Sequence, residues 1–233
     1  MALRRVFVDW LTAESAGVEG ARAHHLARVV RLKPGEAVEV SDTQRLFEAE
    51  AEAVSGKEVV FRLTRELATP EQTPALEVHL AVIKFPRFEL AVEKLTELGV
   101  AAIVPVAAER SDPGLVRAAA KRAERWRAIA EEAAQQSRRL GPPEIGEPVM
   151  LLEALRRPVE QRIFLDFAAP ALREVRQAGT AALLIGPEGG WTDDERRMAE
   201  RAGAVAASFG GTVLRAETAA IAGVAACVAL DAG

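Results

Sequence analysis

Two short stretches near the C-terminus carry glycines and carboxylates in an arrangement typical of a ligand-binding site. Residues 185–192 read Ile-Gly-Pro-Glu-Gly-Gly-Trp-Thr, and residues 210–219 read Gly-Gly-Thr-Val-Leu-Arg-Ala-Glu-Thr-Ala. Each follows an apolar run of strand length and precedes a segment with helical spacing, so each is predicted to be a loop at the carboxyl end of a strand. Open α/β sheets bind their ligands at this edge, and we therefore predict one pocket formed by both loops.

The glycine-glutamate loop, residues 185–192, combines backbone freedom with a charged group. Its glycines allow positive φ and a close approach of the backbone to a ligand, while Pro187 stiffens the turn. Thr192 and Glu195 have the spacing of a capping box that begins the next helix. The structural alternative is a tight turn without a ligand, but Glu188 flanked by glycine at the edge of a sheet favours a functional loop.

The arginine-glutamate loop, residues 210–219, carries polar side chains at the entry to the final helix. Arg215, Glu217 and Thr218 are predicted to form a polar rim over an otherwise apolar pocket. The alternative is that Arg215 and Glu217 pair with each other and brace the turn, with Thr218 as a helix cap.

Several familiar site types are missing from the sequence. No Gly-Lys-Ser/Thr follows the glycines, and neither a Gly-x-Gly-x-x-Gly dinucleotide turn nor a Gly-x-Ser-x-Gly elbow occurs. His24, His25 and His79 lack metal-ligand spacing, and the single Cys227 excludes a cysteine-based zinc site. These features argue against kinases, dehydrogenases, serine hydrolases and zinc enzymes, and they predict no metal.

The elements that must position the loops divide the chain into two predicted domains. Residues 1–69 contain short alternating strands, turn residues and one helix over about 20–30, as expected of a small antiparallel β-barrel. Residues 70–75 are a predicted proline-containing linker. From residue 76 to 233 strands alternate with helices, which predicts an α/β domain with a mostly parallel sheet.

Composition and charge predict a soluble cytoplasmic protein that could bind a polyanion. The net charge is −4, yet residues 110–139 carry eight basic against four acidic side chains and form a positive stripe. No segment has the pattern of a signal peptide or the length to span a bilayer, so we expect no membrane contact. A lone cysteine fits a reducing compartment.

Together the two loop sequences resemble the signature pair of the RsmE family, SPOUT-superfamily methyltransferases that modify N3 of one uridine in bacterial 16S ribosomal RNA. Further matches to the family lie at Lys84 and at residues 4–8, 25–31, 33–35, 93–100, 109–111 and 136–138. The resemblance covers nearly the whole chain. Two departures are Thr212, where the family often has a basic residue, and the added charge of Arg139.

The resemblance implies a fold, a cofactor and an assembly. The α/β domain would be a SPOUT trefoil knot, with the last strands and helix threaded through a loop, and the N-terminal barrel would be PUA-like. S-adenosylmethionine would bind within the knot of a homodimer whose active sites are completed by both subunits. The implied cofactor residues are Leu165, Leu184, Gly186, Glu188, Gly189, Gly190, Ser208, Leu214, Arg215 and Thr218.

Methyl transfer to uracil N3 requires alignment of the nucleophile and removal of its proton. Arg138 and Arg215 are candidates for stabilising the uracil anion, and Glu217 is a candidate proton acceptor. N3 lies on the Watson–Crick edge, so the uridine must be unpaired or flipped before reaction.

The expected partner is 16S ribosomal RNA within the 30S subunit, bound by the positive face of the barrel or by the 110–139 stripe. Ordinary surface charge is the alternative for both. The candidate RNA-binding residues of the barrel are Arg4, Arg22, Arg28, Arg31 and Lys33.

Two other functions compete with this interpretation. A SPOUT ribose 2′-O RNA methyltransferase would share the knot and a similar Gly-Pro-Glu-Gly loop. The Leu-Arg-Ala-Glu-Thr ending favours the base methylator, because ribose methylators typically carry an Asn/Ser-rich ending there. The second competitor is a non-catalytic RNA-binding ribosome assembly factor that has kept the fold.

Overall fold

The computed structural model of the chain describes residues 3–69, 75–167 and 169–231. They form two compact units: unit 1 comprises the chain up to residue 71 together with Ala134–Pro142, and unit 2 comprises the rest. The predicted linker at 70–75 lies outside the described residues except for Ala75. The predicted domain limits, 1–69 and 76–233, do not assign residues 134–142 to the first unit.

Unit 1 is built around a six-stranded sheet with the strand order β1-β4-β5-β6-β3-β2. Its elements are β1 (Arg5–Phe7), β2 (Trp10–Leu11), β3 (Ser15–Glu19), α1 (Gly20–His25), a π-helical turn (Leu26–Val30), β4 (Ala37–Ser41), β5 (Leu46–Val54) and β6 (Glu58–Leu67). Among the described strands of unit 1, only β1 and β4 pair in parallel, and the strands and helix between them supply the long connection that such a pair needs.

Buried and exposed side chains alternate along the strands, so one face of this sheet packs against the core of unit 1. In β6, Val59 and Phe61 are fully buried while Glu58 and Arg62 are exposed. The pairing of β5 with β6 shifts register twice, and such bulges bend a sheet. The predicted small β domain is therefore present as a bent, mostly antiparallel sheet with one helical segment.

Unit 2 contains a seven-stranded sheet with the order β10-β8-β7-β12-β11-β13 and β9 beside β8. Every described pair of neighbouring strands in it is parallel. Its strands are β7 (Leu76–Ala81), β8 (Ala102–Ala107), β9 (Glu144–Ile145), β10 (Val149–Met150), β11 (Gln161–Leu165), β12 (Ala181–Ile185) and β13 (Ala204–Ala207). The predicted fold class, an α/β domain with a mostly parallel sheet beside a small β domain, is confirmed.

The helices of unit 2 connect these strands and cover the sheet. They are α2 (Phe85–Glu97), α3 (Pro113–Ala119), α4 (Ala123–Gln136), α5 (Leu151–Ala154), α6 (Leu172–Val175), α7 (Asp193–Arg201) and α8 (Ala216–Asp231). A 3₁₀ turn, Ala120–Arg122, separates α3 from α4. None of the helices within the described ranges has the length and apolar character needed to cross a bilayer.

Strand β12 and helix α8, which pack against each other, hold the region of unit 2 from which the two loops extend. All five residues of β12 are buried, as expected of a parallel strand covered on both faces. α8 packs against β12, β7 and α2. A Cβ atom at Gly223 would lie 2.9 Å from Leu183 Cδ2, so glycine allows this helix to approach the sheet closely.

The parallel strands β11, β12 and β13 are neighbours, and their carboxyl ends therefore meet at one edge of the sheet. The glycine-glutamate loop follows β12 and the arginine-glutamate loop follows β13, as the apolar runs before them predicted. Threading of the chain end through a knot remains a prediction of the resemblance, since strand order alone does not define a knot.

Candidate functional site

A cleft of about 170 Å³ lies at the carboxyl ends of β11, β12 and β13. One water molecule occupies roughly 30 Å³ in the liquid, so the cleft can admit an organic ligand. The two predicted loops share it, and residues that follow β11 form a third wall. The lining residues are Leu165, Asp166, Phe167, Ile185, Gly186, Pro187, Glu188, Gly190, Trp191, Ala207, Ser208, Phe209, Gly210, Thr212, Val213, Leu214, Ala216 and Ala219.

Six of the ten predicted cofactor residues line this cleft: Leu165, Gly186, Glu188, Gly190, Ser208 and Leu214. The other four lie elsewhere. Leu184 is fully buried in β12, and Gly189 faces Arg110. Arg215 and Thr218 are exposed. Contact of these ten residues with a cofactor remains a prediction.

Gly186 and Trp191 together set the shape of the glycine-glutamate loop. A Cβ atom at Gly186 would lie 2.9 Å from the indole Nε1 of Trp191, which is 2% exposed. Trp191 is held in place because its ring stacks on Phe164 with 4.8 Å between the ring centroids. Gly190 has a φ of +68° and donates its backbone N–H to Pro187 O over 2.8 Å. Glycine is thus required at both positions of this turn.

The segment after β8 ties the same loop to the sheet. Arg110 Nη1 donates to Gly189 O over 2.8 Å and to Trp191 O over 3.3 Å. The predicted capping box is present: Glu195 N–H donates to Thr192 Oγ1, and Thr192 N–H donates to Glu195 Oε2. Buried Glu195 also accepts the backbone N–H of Glu109 over 2.8 Å, so the box is fastened to a second strand end.

Ser208 braces the arginine-glutamate side of the cleft. Its hydroxyl donates to Ala169 O over 2.7 Å, and its backbone N–H donates to Pro170 O over 2.8 Å. The chain turns immediately afterwards at Gly210, whose φ is +100°. The serine predicted as a cofactor residue therefore also connects two walls of the cleft.

Two carboxylates line the cleft, and each pairs with an arginine from outside the lining. Asp166 Oδ2 accepts from Arg196 Nε over 2.5 Å, and this hydrogen bond raises the pKa of Arg196. Glu188 pairs with Arg87 of α2. No lysine or arginine lines the cleft within the described part of the chain. The described cleft lining therefore holds carboxylates but no cation, and a positively charged ligand would share these carboxylates with Arg87 and Arg196.

Glu217 is a buried carboxylate in the first turn of α8, next to Ala216 of the lining. Its Oε1 lies 3.7 Å from Arg87 Nε, so it pairs with α2 rather than with Arg215. Within the described residues its Oε2 has no hydrogen-bond partner. An unpaired buried oxygen is costly, and the positive end of the helix dipole lowers that cost. This oxygen therefore has unused acceptor capacity, although Glu217 itself does not line the cleft.

Arg138, the other predicted anion stabiliser, belongs to unit 1 and does not line the cleft. Its guanidinium pairs with Glu39, and its backbone has a φ of +58°. Buried Arg5 donates to Glu39 Oε2 over 2.7 Å and also binds Arg138 O. This network fastens residues 134–142 to the sheet of unit 1, which gives Arg138 a structural task.

The candidate RNA-binding residues occupy the surface of unit 1. Arg4, Arg28, Arg31 and Lys33 are exposed, whereas half-buried Arg22 pairs with Asp9. In the part of the chain that the structure describes, no group of three His, Cys, Asp or Glu side chains could hold a metal ion.

Two family models match the chain. The RNA methyltransferase domain family matches residues 70–228, and the RNA methyltransferase PUA domain family matches residues 18–64. Ribosomal RNA small subunit methyltransferase E of Mycobacterium bovis is 35% identical over 228 residues, with 92% of this chain and 87% of that protein covered. The chain belongs to the RsmE family. The resemblance read from the two loops is thereby confirmed.

Other RsmE proteins support the same assignment. The Bacillus subtilis protein is 32% identical, with 89% of this chain and 87% of that protein covered. A ribosomal RNA small subunit methyltransferase E from Neisseria gonorrhoeae, solved bound to S-adenosyl methionine, is 27% identical. It superposes with a TM-score of 0.86 and covers 98% of both chains. The fold at the cleft is therefore that of a relative that binds this cofactor.

Sequence reasoning missed part of the site. Asp166 and Phe167 follow β11 without any motif, and Arg87 is 101 residues from its partner Glu188. Trp191 and Phe209 had a usable signal, because each sits inside or directly before a recognised loop. Large apolar side chains next to a predicted glycine turn are natural pocket walls.

Proposed function

We propose that the chain is an S-adenosylmethionine-dependent methyltransferase acting on N3 of one uridine in 16S ribosomal RNA. The observation that carries the proposal is the cleft at the carboxyl ends of β11, β12 and β13, walled by both signature loops. RsmE membership supports the reaction class and the RNA substrate. The protein would work in the cytoplasm, where ribosomal subunits assemble.

The residues of the cleft fit the proposed cofactor. Gly190 leaves the backbone of the loop open to a flat ring, and Phe167 and Phe209 add apolar wall. Asp166 and Glu188 supply negative charge, which suits a ligand carrying a sulfonium and an ammonium group. S-adenosylmethionine, when bound there, supplies the methyl group.

The protein's own residues would orient the uracil and handle its proton. The free Oε2 of Glu217 would accept the proton from uracil N3 and leave an anion as the nucleophile. Exposed Arg215, two residues earlier, would stabilise that anion from the rim. The guanidinium of Arg138 is already paired with Glu39 and is therefore less available for this task.

A methylation assay tests the function directly. Purified protein and S-adenosylmethionine are incubated with 30S subunits, and separately with naked 16S RNA, from a strain that lacks this activity. We expect nucleoside mass spectrometry to find 3-methyluridine in the reaction with 30S subunits. Methyl found on a ribose 2′-oxygen would establish the competing enzyme. No methyl transfer to either substrate would support the assembly factor.

Unit 1 would contribute RNA binding through its exposed cations. Arg28 lies within the π-helical turn, Arg31 directly follows it and Lys33 comes two residues later, so three positive charges lie within six residues. Such a cluster suits contacts with phosphates. The stripe over residues 110–139 is less free than its sequence indicates, because Arg125 is engaged by Glu89 over 2.8 Å.

We also propose a homodimer in which α8 lies at the interface. From Thr218 to Leu230 this helix has no charged side chain, and Ala225 and Ala229 are exposed. A helix that is apolar all round is normally covered on every side. The exposed alanines leave room for close packing of a partner helix.

Replacement of Ala225 by glutamate is expected to convert the dimer to a monomer. An unpaired charge buried between two helices costs several kcal/mol, so the dimer dissociation constant should rise by about a hundredfold or more. Analytical ultracentrifugation measures this constant. Ala128→Glu, at an exposed position of α4, is the matched control and should remain dimeric. A dimeric Ala225→Glu protein would show that the interface lies elsewhere.

A further inference from the structure

Arg87 connects the two loops that wall the cleft, although it belongs to neither. It lies in the first turn of α2, and its guanidinium pairs with Glu188 of the glycine-glutamate loop. Its Nε also lies 3.7 Å from Oε1 of Glu217, at the end of the arginine-glutamate loop. One cation therefore reaches two carboxylates that are 29 residues apart along the chain, Glu188 in the loop after β12 and Glu217 in the first turn of α8.

The helix that presents Arg87 is rigidly placed. Phe88, the next residue, is fully buried, and its ring lies 4.3 Å from that of Trp126 between centroids. Pro86 stands in the first turn of α2, where its fixed φ is pre-organised for a helix. The backbone that carries Arg87 therefore cannot follow either loop if that loop moves.

The two carboxylates would repel each other without this cation. Glu217 is 6% exposed, so its charge is poorly screened by water. Glu188 lines the cleft, and its position determines how much negative charge a ligand meets. A single guanidinium with several N–H donors can serve both carboxylates at once, which lysine does less well.

We propose that Arg87 is a positioning residue for the methyl donor, holding Glu188 and Glu217 so that the two loops keep the binding conformation. This inference rests on the proposed function, because it assumes that the donor occupies the cleft. Arg87 acts through the two carboxylates, and it does not itself line the cleft.

Titration calorimetry with S-adenosylmethionine tests the inference on the full-length protein. The Arg87→Met variant is expected to bind about five- to tenfold more weakly, since each partly exposed ion pair contributes up to roughly a factor of five. Arg87→Lys keeps the charge and should recover part of the affinity. Arg87→Lys should melt within a few degrees of wild type because it keeps the cation, whereas Arg87→Met should melt lower because it leaves the buried carboxylate of Glu217 unpaired. Affinity is therefore measured well below the melting temperature of both variants.

Lys94→Met is the matched control. Lys94 lies on the same helix and also binds two carboxylates, Glu93 over 2.7 Å and Glu97 over 2.8 Å. Both of its partners belong to α2 itself, so its loss removes similar ion pairs without touching either loop. Donor affinity should be unchanged in this variant.

A double-mutant cycle distinguishes positioning from a general loss of charge. Glu188→Gln should weaken binding, and combining it with Arg87→Met should cost less affinity than the sum of the two single effects, because both changes break the contact between Arg87 and Glu188. Two results would overturn the inference, provided that the wild type binds the donor. One is unchanged affinity in Arg87→Met, and the other is fully additive effects in the double variant. Failure of the wild type to bind at millimolar donor would instead refute the proposed function.

Discussion

Replacement of Gly186 by valine is expected to abolish measurable binding of S-adenosylmethionine. The new Cβ atom would lie 2.9 Å from Trp191 Nε1 and 3.0 Å from Cε2, distances at which one group must move. The indole cannot withdraw easily, because it is buried and stacked on Phe164. The loop backbone would therefore shift away from the sheet edge. Overpacking of this kind costs about 3 kcal/mol. If donor binding requires the original loop conformation, this free energy lowers the affinity by about a hundredfold or more.

Gly211→Val supplies the control for this prediction. A Cβ atom at Gly211 meets no atom within 4 Å, and the residue lies in the neighbouring loop without lining the cleft. Calorimetry should therefore find donor affinity close to wild type in this variant. Gly189→Val should fall between the two, because its Cβ would contact the movable side chain of Arg110 at 3.3 Å. Normal affinity in Gly186→Val would show that the donor does not depend on this wall.

The sequence predicted the parts of the site that depend on neighbours along the chain. Glycines next to Glu188 and an apolar run before them predict a loop at a strand end, because backbone freedom and strand periodicity are local properties. The capping box of Thr192 and Glu195 formed for the same reason. Strand alternation in residues 76–233 likewise predicted the parallel sheet.

The parts that escaped prediction depend on packing between distant segments. Arg87 pairs with Glu188 only because the fold brings the start of α2 next to the loop after β12, and nothing near residue 87 indicates its partner. Asp166 joins the cleft because β11 is the neighbour of β12, and strand order follows from the whole fold. Residues 134–142 belong to unit 1, where Arg138 and Arg5 share Glu39, and nothing in the local sequence indicates this long-range pairing.

Glu217→Gln is expected to lower kcat by at least about a hundredfold, since a positioned general base contributes roughly 10²–10⁴. Glutamine has nearly the same shape as glutamate, so the buried site should stay packed and the protein folded. It cannot take the proton from uracil N3, because a neutral amide is a very weak base. Donor affinity should fall far less than kcat, because the substitution removes the acceptor for the N3 proton, which is needed in the reaction and not in donor binding.

A single-turnover assay with saturating S-adenosylmethionine and 30S subunits separates these effects. Glu200→Gln, at an exposed position of α7, is the matched control and should methylate at the wild-type rate. A wild-type rate in Glu217→Gln would place the proton acceptor elsewhere and leave Glu217 only its pairing with Arg87. A lower rate with unchanged donor affinity would instead connect Glu217 to the chemical step. Its unpaired Oε2 is then the candidate proton acceptor. Oε1 already has its cation, so the second oxygen is the one left for the substrate.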